Sequence, residues 1–263
     1  MKLVRFNKNG GIYYGVLEGS RIKSIVGDVF ASIAADGPEY AVSEVKLLAP
    51  AVPPNVIAIG LNYSSHAGES GAAAPERPVI FLKATTSVTS DGADILLPRI
   101  APDEVDYEAE LCVVIGKTAK DVPESEALDY VLGYMCGNDV SARDCQQRLD
   151  TQWARGKSFD TFCPVGPHIE TGIKDPDNLD IYSKVNGVVM QSSNTRNMIF
   201  STRRLISYCS RNMTLLPGTL IMTGTPEGVG FARKPPVFLR DGDTVEIGIQ
   251  GIGAIVNKVK KAM

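Results

Sequence analysis

The stretch VDYEAELCVVIG, residues 105–116, decides the fold of the region around it. Its acidic start continues into an apolar run, which predicts a strand that enters a hydrophobic core. Side chains two positions apart on a strand point to the same face, so Glu108 and Glu110 are expected to reach one point. A second apolar run, VLGYMCGND, ends at Asp139. Three carboxylates without a His or Cys among them favour Mg²⁺, Mn²⁺ or Ca²⁺ over zinc.

A solvent-facing strand is the alternative for Glu108 and Glu110. On such a strand the two carboxylates would repel each other mildly and bind nothing. Taken alone, the two-residue spacing favours this alternative. The apolar run that follows favours the buried strand, in which two like charges would need a cation.

The rest of the chain predicts mostly strands. Residues 1–52 contain short β-like runs separated by Gly and Asn turns, and Pro53 and Pro54 resist both helix and central strand, so we place a domain boundary there. Residues 53–263 contain further strand candidates, which are VIAIG, VIFLK, ILLP, YEAELCVVIG, VLGYMCGND, LDIYSKV, VVMQS, TLIMTG, TVEIGI and GAIVNKV. We expect a β-rich α+β fold, a mixed β-sandwich or roll preceded by a small N-terminal β domain.

Few helices are expected. The best candidates are residues 124–130 and residues 201–209, the second with Ser201 as its N-cap. The pair Asn186-Gly187 between two β-like runs predicts a hairpin, because a type I′ turn needs positive φ at both of its central positions.

Composition excludes several classes of protein. The chain has 263 residues, 27 basic and 30 acidic, and a formal net charge of −3, which gives no general attraction to nucleic acid or to an anionic membrane. Its five cysteines are odd in number and form no CxxC pair, so neither a disulfide framework nor a zinc site is indicated. Without an apolar signal core or a membrane-spanning run, we expect a soluble, cytoplasmic protein, and a mitochondrial location stays open.

His66 and Glu69 lie three positions apart in LNYSSHAGESG. One helical turn would bring the two side chains within hydrogen-bond reach. A carboxylate beside an imidazole orients the ring and holds it basic, which would produce a general base for water. A surface histidine is the alternative, and the His-x-x-Glu spacing alone favours that alternative.

Several polar residues at or after the ends of apolar segments could bind a carboxylate-bearing substrate. They are Lys83, Lys157, Arg143 and Gln146, although solvated surface side chains are the default for the lysines. The Gly-rich stretch MTGTPEGVG has neither the lysine of a P-loop nor the spacing of a dinucleotide site. We expect a tight turn there, with backbone amides and the Thr225 hydroxyl facing a pocket.

Seven ordered blocks of this sequence resemble the fumarylacetoacetate hydrolase superfamily. They are GLNYSSHAGESG, VIFLK, VDYEAELCVVIGK, GYMCGNDVSARDCQ, GKSFDTFCPVGP, KVNGVVMQSSNT and TGTPEGVG. The likeness runs from about Pro53 to the C-terminus. QWARGKSFDTFCPVGP, VNGVVMQSSNT and RKPPVFLRDGD are especially similar to the eukaryotic fumarylacetoacetate hydrolase domain-containing proteins of the oxaloacetate tautomerase group.

The resemblance implies a metal-dependent enzyme, usually a homodimer or higher homo-oligomer. Its metal would be Mg²⁺ or Mn²⁺, with Ca²⁺ able to substitute in crystals. The implied ligands are Glu108, Glu110 and Asp139, with Lys157 near the metal. No nucleic-acid or membrane partner is expected.

The resemblance also implies how a substrate is held. Arg143, Gln146 and Thr225 would bind it, and His66 and Glu69 would activate water on a lid over the site. Asn62 and Tyr63 flank the lid and would position it. The chain departs from the family where Lys83-Ala84 replaces a Lys-Pro pair, so the local backbone shape there is open.

The function expected from these parts is chemistry on a small 2-oxo or β-diketo acid through an enolate held on the metal. We place C–C bond hydrolysis or decarboxylation first, because the water-activating pair is present. Oxaloacetate keto–enol tautomerisation is the first alternative, since the strongest resemblance lies there. A non-catalytic small-molecule binding protein is the second alternative, which loss of a metal ligand would favour.

Overall fold

The computed structural model describes residues 1–262, and most of their regular structure is β-strand. The strands of this part are β1 (Lys2–Lys8), β2 (Gly11–Glu18), β3 (Arg21–Ser24), β4 (Glu39–Ala41), β5 (Lys46–Leu48), β6 (Val56–Gly60), β7 (Val79–Lys83), β8 (Val88–Ser90), β9 (Ile95–Leu97), β10 (Val105–Asp106), β11 (Ala109–Ile115), β12 (Val131–Asn138), β13 (Ser141–Ala142), β14 (Cys163–Glu170), β15 (Asp180–Val185), β16 (Val188–Asn194), β17 (Leu220–Met222), β18 (Thr244–Ile249) and β19 (Gly253–Lys261).

The helices are short. The α-helices are α1 (Ser64–Glu69), α2 (Trp153–Lys157) and α3 (Thr202–Asn212). Tighter or wider helical turns occupy Val42–Glu44, Thr85–Ser87, Glu124–Tyr130, Cys145–Leu149, Thr195–Asn197 and Gly230–Ala232. No helix within residues 1–262 has the length and apolar character needed to cross a membrane.

Two large mixed sheets form the fold. The first has the order β4-β3-β2-β1-β14-β12-β11-β17-β6-β7, with β5 beside β1 and β8 beside β14. The second has the order β16-β15-β18-β19-β9. Most neighbours are antiparallel, but β17–β6, β14–β8 and β19–β9 are parallel pairs. The predicted β-rich mixed fold is therefore confirmed.

Strand β11 is buried over its whole length and lies between two hydrophobic clusters. Leu111 and Val113 belong to the cluster shared with Ile247 and other residues of the second sheet. Cys112 and Val114 point the other way, into a cluster formed with β14 and β17. Each such aliphatic side chain contributes roughly 1.5–3 kcal/mol when it is removed from water. This double burial holds the acidic start of the strand in a rigid position.

Local signals in the sequence predicted two elements well. Asn186 and Gly187, with φ of 51° and 81°, form the turn between β15 and β16. Ser201 caps α3, because its hydroxyl oxygen accepts a hydrogen bond from the Arg204 amide. The predicted helix at Glu124–Tyr130 is a 3₁₀ helix instead. Strand β12 begins directly after it, so the segment is too short to gain from regular α-helical bonding.

The N-terminal strands continue the large sheet. Strand β1 pairs with β14 at Lys2 and Leu3, and β5 pairs with β1. The division of the chain at residues 52 and 53 stays a prediction.

Candidate active site

The acidic triad forms where β11 begins and β12 ends. Ala109 pairs with Asn138 across these two strands, and the Asp139 amide donates to the Glu108 carbonyl at 2.9 Å. The Asn138 side-chain oxygen accepts from the Glu108 amide at 3.0 Å. As a result, the carboxylate oxygens of Glu108, Glu110 and Asp139 lie within 4.8 Å of one another. All three side chains are buried.

Two buried lysines neutralise part of this charge. The Lys157 ammonium donates to Glu108 Oε2 at 2.8 Å and to Asp139 Oδ2 at 2.9 Å. The Lys83 ammonium pairs with Asp139 Oδ1 and donates to the Phe162 carbonyl at 2.9 Å. The default of a solvated surface lysine was therefore wrong for both, because each ammonium is buried and pairs with the carboxylates of the triad.

Ala84 keeps the backbone shape that the replaced proline would impose. Its φ is −59° and its ψ is 136°, close to the φ of about −65° that a proline ring requires. The departure from Lys-Pro therefore requires no different backbone conformation at residue 84.

Glu110 is the carboxylate of the triad with the least compensation. Burial raises its pKa well above the ordinary value, and the neighbouring charges of Asp139 and Glu108 raise it further. Burial alone would also raise the pKa of Glu108, but the cations of Lys157 and Arg143 lower it to about 2. A divalent cation held by hard oxygen ligands would balance this excess of negative charge, so the donor set fits Mg²⁺ or Mn²⁺.

Arg143 connects the triad to the substrate-binding candidates. Its guanidinium donates to Asp106 and Glu108 at 2.7 Å each and to Gln146 Oε1 at 2.8 Å. It also lies over the Phe231 ring, 4.4 Å from the ring centroid. The guanidinium is thus clamped in one orientation.

Asp106 is a site residue that the sequence reasoning missed. It is fully buried, binds Arg143 and accepts from the Phe231 amide at 2.8 Å. Burial raises its pKa, which the Arg143 cation partly offsets, to about 6. The signal was present in the sequence, since Asp106, Glu108 and Glu110 continue one alternation.

The lid candidates lie on α1 and are fastened to the Gly-rich loop. His66 Nδ1 is 2.8 Å from Glu69 Oε1, and the Gly228 amide donates to both Glu69 oxygens, at 2.9 and 3.1 Å. The Ser65 hydroxyl also bonds to the Glu227 carboxylate. The two predicted partners, His66 and Glu69, are therefore in contact.

Asn62 anchors the base of α1. Its amide donates to the carbonyls of Thr223, at 2.7 Å, and of Phe200, at 3.0 Å. Tyr63 is fully buried and forms a backbone bridge with Met198. Helix α1 therefore begins from a fixed base, and its role as a lid stays a prediction.

A cavity of about 270 Å³ lies between the lid and the triad. It is lined by Ile59, Gly60, Leu61, His66, Ser70, Ala72, Phe81, Glu108, Arg143, Gln146, Gln147, Trp153, Lys157, Thr225 and Phe231. Six of the predicted site residues are in this lining. Glu69, Glu110 and Asp139 are not: Glu110 and Asp139 are buried, whereas Glu69 is partly exposed to solvent on α1.

Known proteins resemble this chain over most of its length. A family model described as Fumarylacetoacetate (FAA) hydrolase C-terminal matches residues 55–260, and one described as Rv2993c-like, N-terminal matches residues 1–50. The chain is 47% identical over 231 residues to oxaloacetate tautomerase Fahd2a, mitochondrial, from Rattus norvegicus, which covers 87% of this chain and 74% of that protein. It is also 47% identical over 259 residues to an uncharacterized protein of Archaeoglobus fulgidus, covering 98% and 96%.

A solved structure extends the likeness to the whole fold. The crystal structure of 5-carboxymethyl-2-hydroxymuconate delta-isomerase from Mycobacterium smegmatis superposes with a TM-score of 0.90 at 44% identity, covering 100% of each chain. Sequence, fold and the family model therefore agree. The chain belongs to the fumarylacetoacetate hydrolase family.

Proposed function

We propose that this protein is a divalent-metal-dependent isomerase that interconverts the keto and enol forms of a small 2-oxo dicarboxylic acid, with oxaloacetate as the first candidate. The observation that carries the proposal is the buried triad of Glu108, Glu110 and Asp139 beneath a cavity lined by cationic and amide donors. The choice of tautomerisation over cleavage rests on relatives named as oxaloacetate tautomerases, 46–48% identical to this chain.

The metal ligands of this proposal are the three carboxylates. A divalent ion held there would supply Lewis-acid chemistry, lowering the cost of negative charge on the 2-oxo oxygen of a bound acid. Because all three carboxylates are present and meet at one point, the alternative of a non-catalytic binding protein loses its main support.

The residues around the triad would bind and orient the anion. Lys157 uses two of its three N–H groups on Glu108 and Asp139, which leaves one for the substrate. Gln146 accepts from Arg143 through its oxygen, and its amide nitrogen, which has no hydrogen-bond acceptor within residues 1–262, would donate into the cavity. A dicarboxylate offers only acceptors, and this lining would meet it with donors.

His66 would move the proton between carbon and oxygen. Since the Glu69 carboxylate can only accept, Nδ1 of His66 carries the shared hydrogen, and Nε2 is left to take and release a proton. The aromatic side chains of Phe81, Trp153 and Phe231 line the same cavity and would limit the access of water. Proton transfer by a positioned base is typically worth about 10²- to 10⁴-fold in rate.

C–C bond hydrolysis or decarboxylation is the second candidate, and a specific observation favours it. The His66–Glu69 contact would also suit a general base for water, and activation of water is a step that hydrolysis needs and tautomerisation does not. In that case the pair would activate water for attack on a distal carbonyl.

A substrate panel separates the two candidates. Purified protein with Mg²⁺ is given oxaloacetate or an acylpyruvate, and loss of the enol and release of pyruvate are followed independently. Fast enol loss without pyruvate supports the isomerase, whereas pyruvate release that keeps pace with enol loss supports cleavage. In His66→Ala we expect tautomerisation to fall by at least about 10²-fold. Retention of tautomerisation together with loss of cleavage would instead assign the pair to water activation.

A further inference from the structure

Gln191 is a buried glutamine on β16 whose side chain joins three parts of the site. Its oxygen accepts from the Ala109 amide and from the Ser183 hydroxyl, at 2.9 Å each. Its amide nitrogen donates to the Thr225 hydroxyl oxygen and to the Pro226 carbonyl, at 2.8 Å each. Both lone pairs and both N–H groups of this amide are therefore used.

The orientation of the Gln191 amide is fixed by two backbone groups. The Ala109 N–H can only donate and the Pro226 carbonyl can only accept, so a flipped amide would face a donor with a donor and an acceptor with an acceptor. The amide nitrogen must then face Thr225. This leaves the Thr225 hydroxyl oxygen as an acceptor toward Gln191.

The consequence concerns the hydrogen of the Thr225 hydroxyl. Thr225 lines the cavity, and within residues 1–262 its hydroxyl donates to no protein acceptor. Thr225 also follows Gly224, whose amide donates to Glu110 Oε2 at 2.8 Å, and it lines the same cavity as Glu108 of the triad.

We infer that Gln191 is a positioning residue that turns the Thr225 hydroxyl into a dedicated hydrogen-bond donor for the oxygen of a bound oxo acid beside the acidic triad. The inference deepens the proposed function and rests on it for the class of ligand. It also limits that class, because the ligand must present an acceptor oxygen to Thr225. A ligand group that can only donate, such as an ammonium, would place a donor against the Thr225 donor, which is unfavourable.

The Ala109 contact gives Gln191 a second connection, since Ala109 lies between Glu108 and Glu110. A substitution at Gln191 could therefore act through the carboxylates rather than through Thr225. A double-mutant cycle separates the two routes by substituting Gln191 both in the wild type and in a Thr225 variant. An effect on binding that acts through Ala109 is the same in both proteins, so it cancels when the two changes in binding free energy are subtracted.

The experiment measures binding of oxalate and of Mn²⁺ by calorimetry, so it does not depend on turnover. We expect Thr225→Val to weaken oxalate binding roughly tenfold with unchanged Mn²⁺ affinity, and Thr225→Ser to bind oxalate like the wild type. Gln191→Met should weaken oxalate binding in the wild-type background. In the Thr225→Val background, the factor by which it weakens oxalate binding should be smaller by at least about threefold. Ser183→Ala is the matched control, because it removes a hydrogen bond to the Gln191 oxygen and leaves the Gln191 nitrogen facing Thr225. It should change oxalate affinity less than about twofold.

Two results would overturn the inference. One is that the losses of oxalate-binding free energy in Gln191→Met and Thr225→Val add up in the double variant, and the other is that Thr225→Val binds oxalate like the wild type. If Gln191→Met does not fold, Gln191→Glu takes its place, because it keeps an acceptor for Ala109 and removes the donor to Thr225. It should then weaken oxalate binding in the wild-type background and not in the Thr225→Val background. Coupled binding without any tautomerase activity would reject the proposed function and leave the role of Gln191 intact.

Discussion

Substituting Glu110 by glutamine removes one charge from the triad and changes little else. Glu110 is almost fully buried, and its Oε2 accepts one hydrogen bond from the Gly224 amide at 2.8 Å, which a glutamine oxygen can also accept. Burial and the charges of Asp139 and Glu108 raise the pKa of Glu110, so the metal-free fold is destabilised by its ionised form. We therefore expect Glu110→Gln to stabilise the metal-free protein by on the order of 1–3 kcal/mol.

The same substitution should remove the response to metal. If Mn²⁺ binds the native triad, a concentration of 100 times the dissociation constant adds about 2.7 kcal/mol to the free energy of unfolding. Without the Glu110 charge we expect less than about 1 kcal/mol at that concentration. Glu110→Gln should therefore raise the stability of the metal-free protein and lower the stability gained from Mn²⁺. Loss of a carboxylate with a purely structural role would not produce this combination.

Urea denaturation followed by circular dichroism, in EDTA and in MnCl₂, measures both effects. Glu104→Gln is a matched control, because Glu104 pairs with Arg148 at the surface, away from the triad. It should change the free energy of unfolding by less than about 1 kcal/mol in either condition. A Glu110→Gln variant that is less stable in EDTA and gains as much from Mn²⁺ as the wild type would refute the cation site.

Three further predictions test other parts of the site and fold. Lys83→Met leaves Asp139 with one lysine instead of two, so the free energy of unfolding of the metal-free protein should fall by about 3 kcal/mol. In urea denaturation, Mn²⁺ should then add more stability to the variant than to the wild type, and an equal gain in both proteins would contradict this. Trp153 lines the cavity and packs edge-on against Phe81, with ring centroids 5.7 Å apart. Trp153→Ala enlarges the cavity, so the ratio of kcat/KM for bulkier 2-oxo acids to kcat/KM for oxaloacetate should rise roughly tenfold, and an unchanged ratio would exclude Trp153 as a specificity residue. Burial, with a smaller contribution from a nearby lysine, lowers the pKa of His168 to about 4, so its neutral form is favoured in the fold. The stability that this residue contributes is complete above its unfolded pKa of about 6.5 and is lost as pH falls toward 4, with a slope of at most about 1.4 kcal/mol per pH unit. His168→Asn should flatten that slope in urea denaturation between these pH values, and an equal acid slope in both proteins would contradict the assignment.

The parts that sequence reasoning predicted are those governed by local rules. The two-residue spacing brings Glu108, which directly precedes β11, and Glu110, which lies on it, to one point, and the apolar run after them buries β11. The Asn186-Gly187 turn follows from the need for positive φ, and Ser201 caps α3 because its hydroxyl can reach a free amide. None of these needs knowledge of the rest of the chain.

The parts that escaped depend on contacts between distant segments. Lys83 and Asp139 are 56 positions apart, and Gln191 reaches Ala109 across 82 positions, so no local spacing joins them. Helix α2 carries Lys157 into the site, but its five residues are too few to show a helical period. Its position depends on contacts with distant residues, such as the packing of Trp153 against Phe81 of β7.

The most direct test of the central claim is the rate at which enol-oxaloacetate disappears, measured with Mn²⁺ and with EDTA for the wild type and for Glu110→Gln. Pyruvate is followed in a separate assay on the same samples. We predict fast enol loss without pyruvate only for the wild type with Mn²⁺, and rates near the uncatalysed one in the other three samples. Equal rates with Mn²⁺ and EDTA, or an unimpaired Glu110→Gln variant, would contradict an isomerase built on the acidic triad.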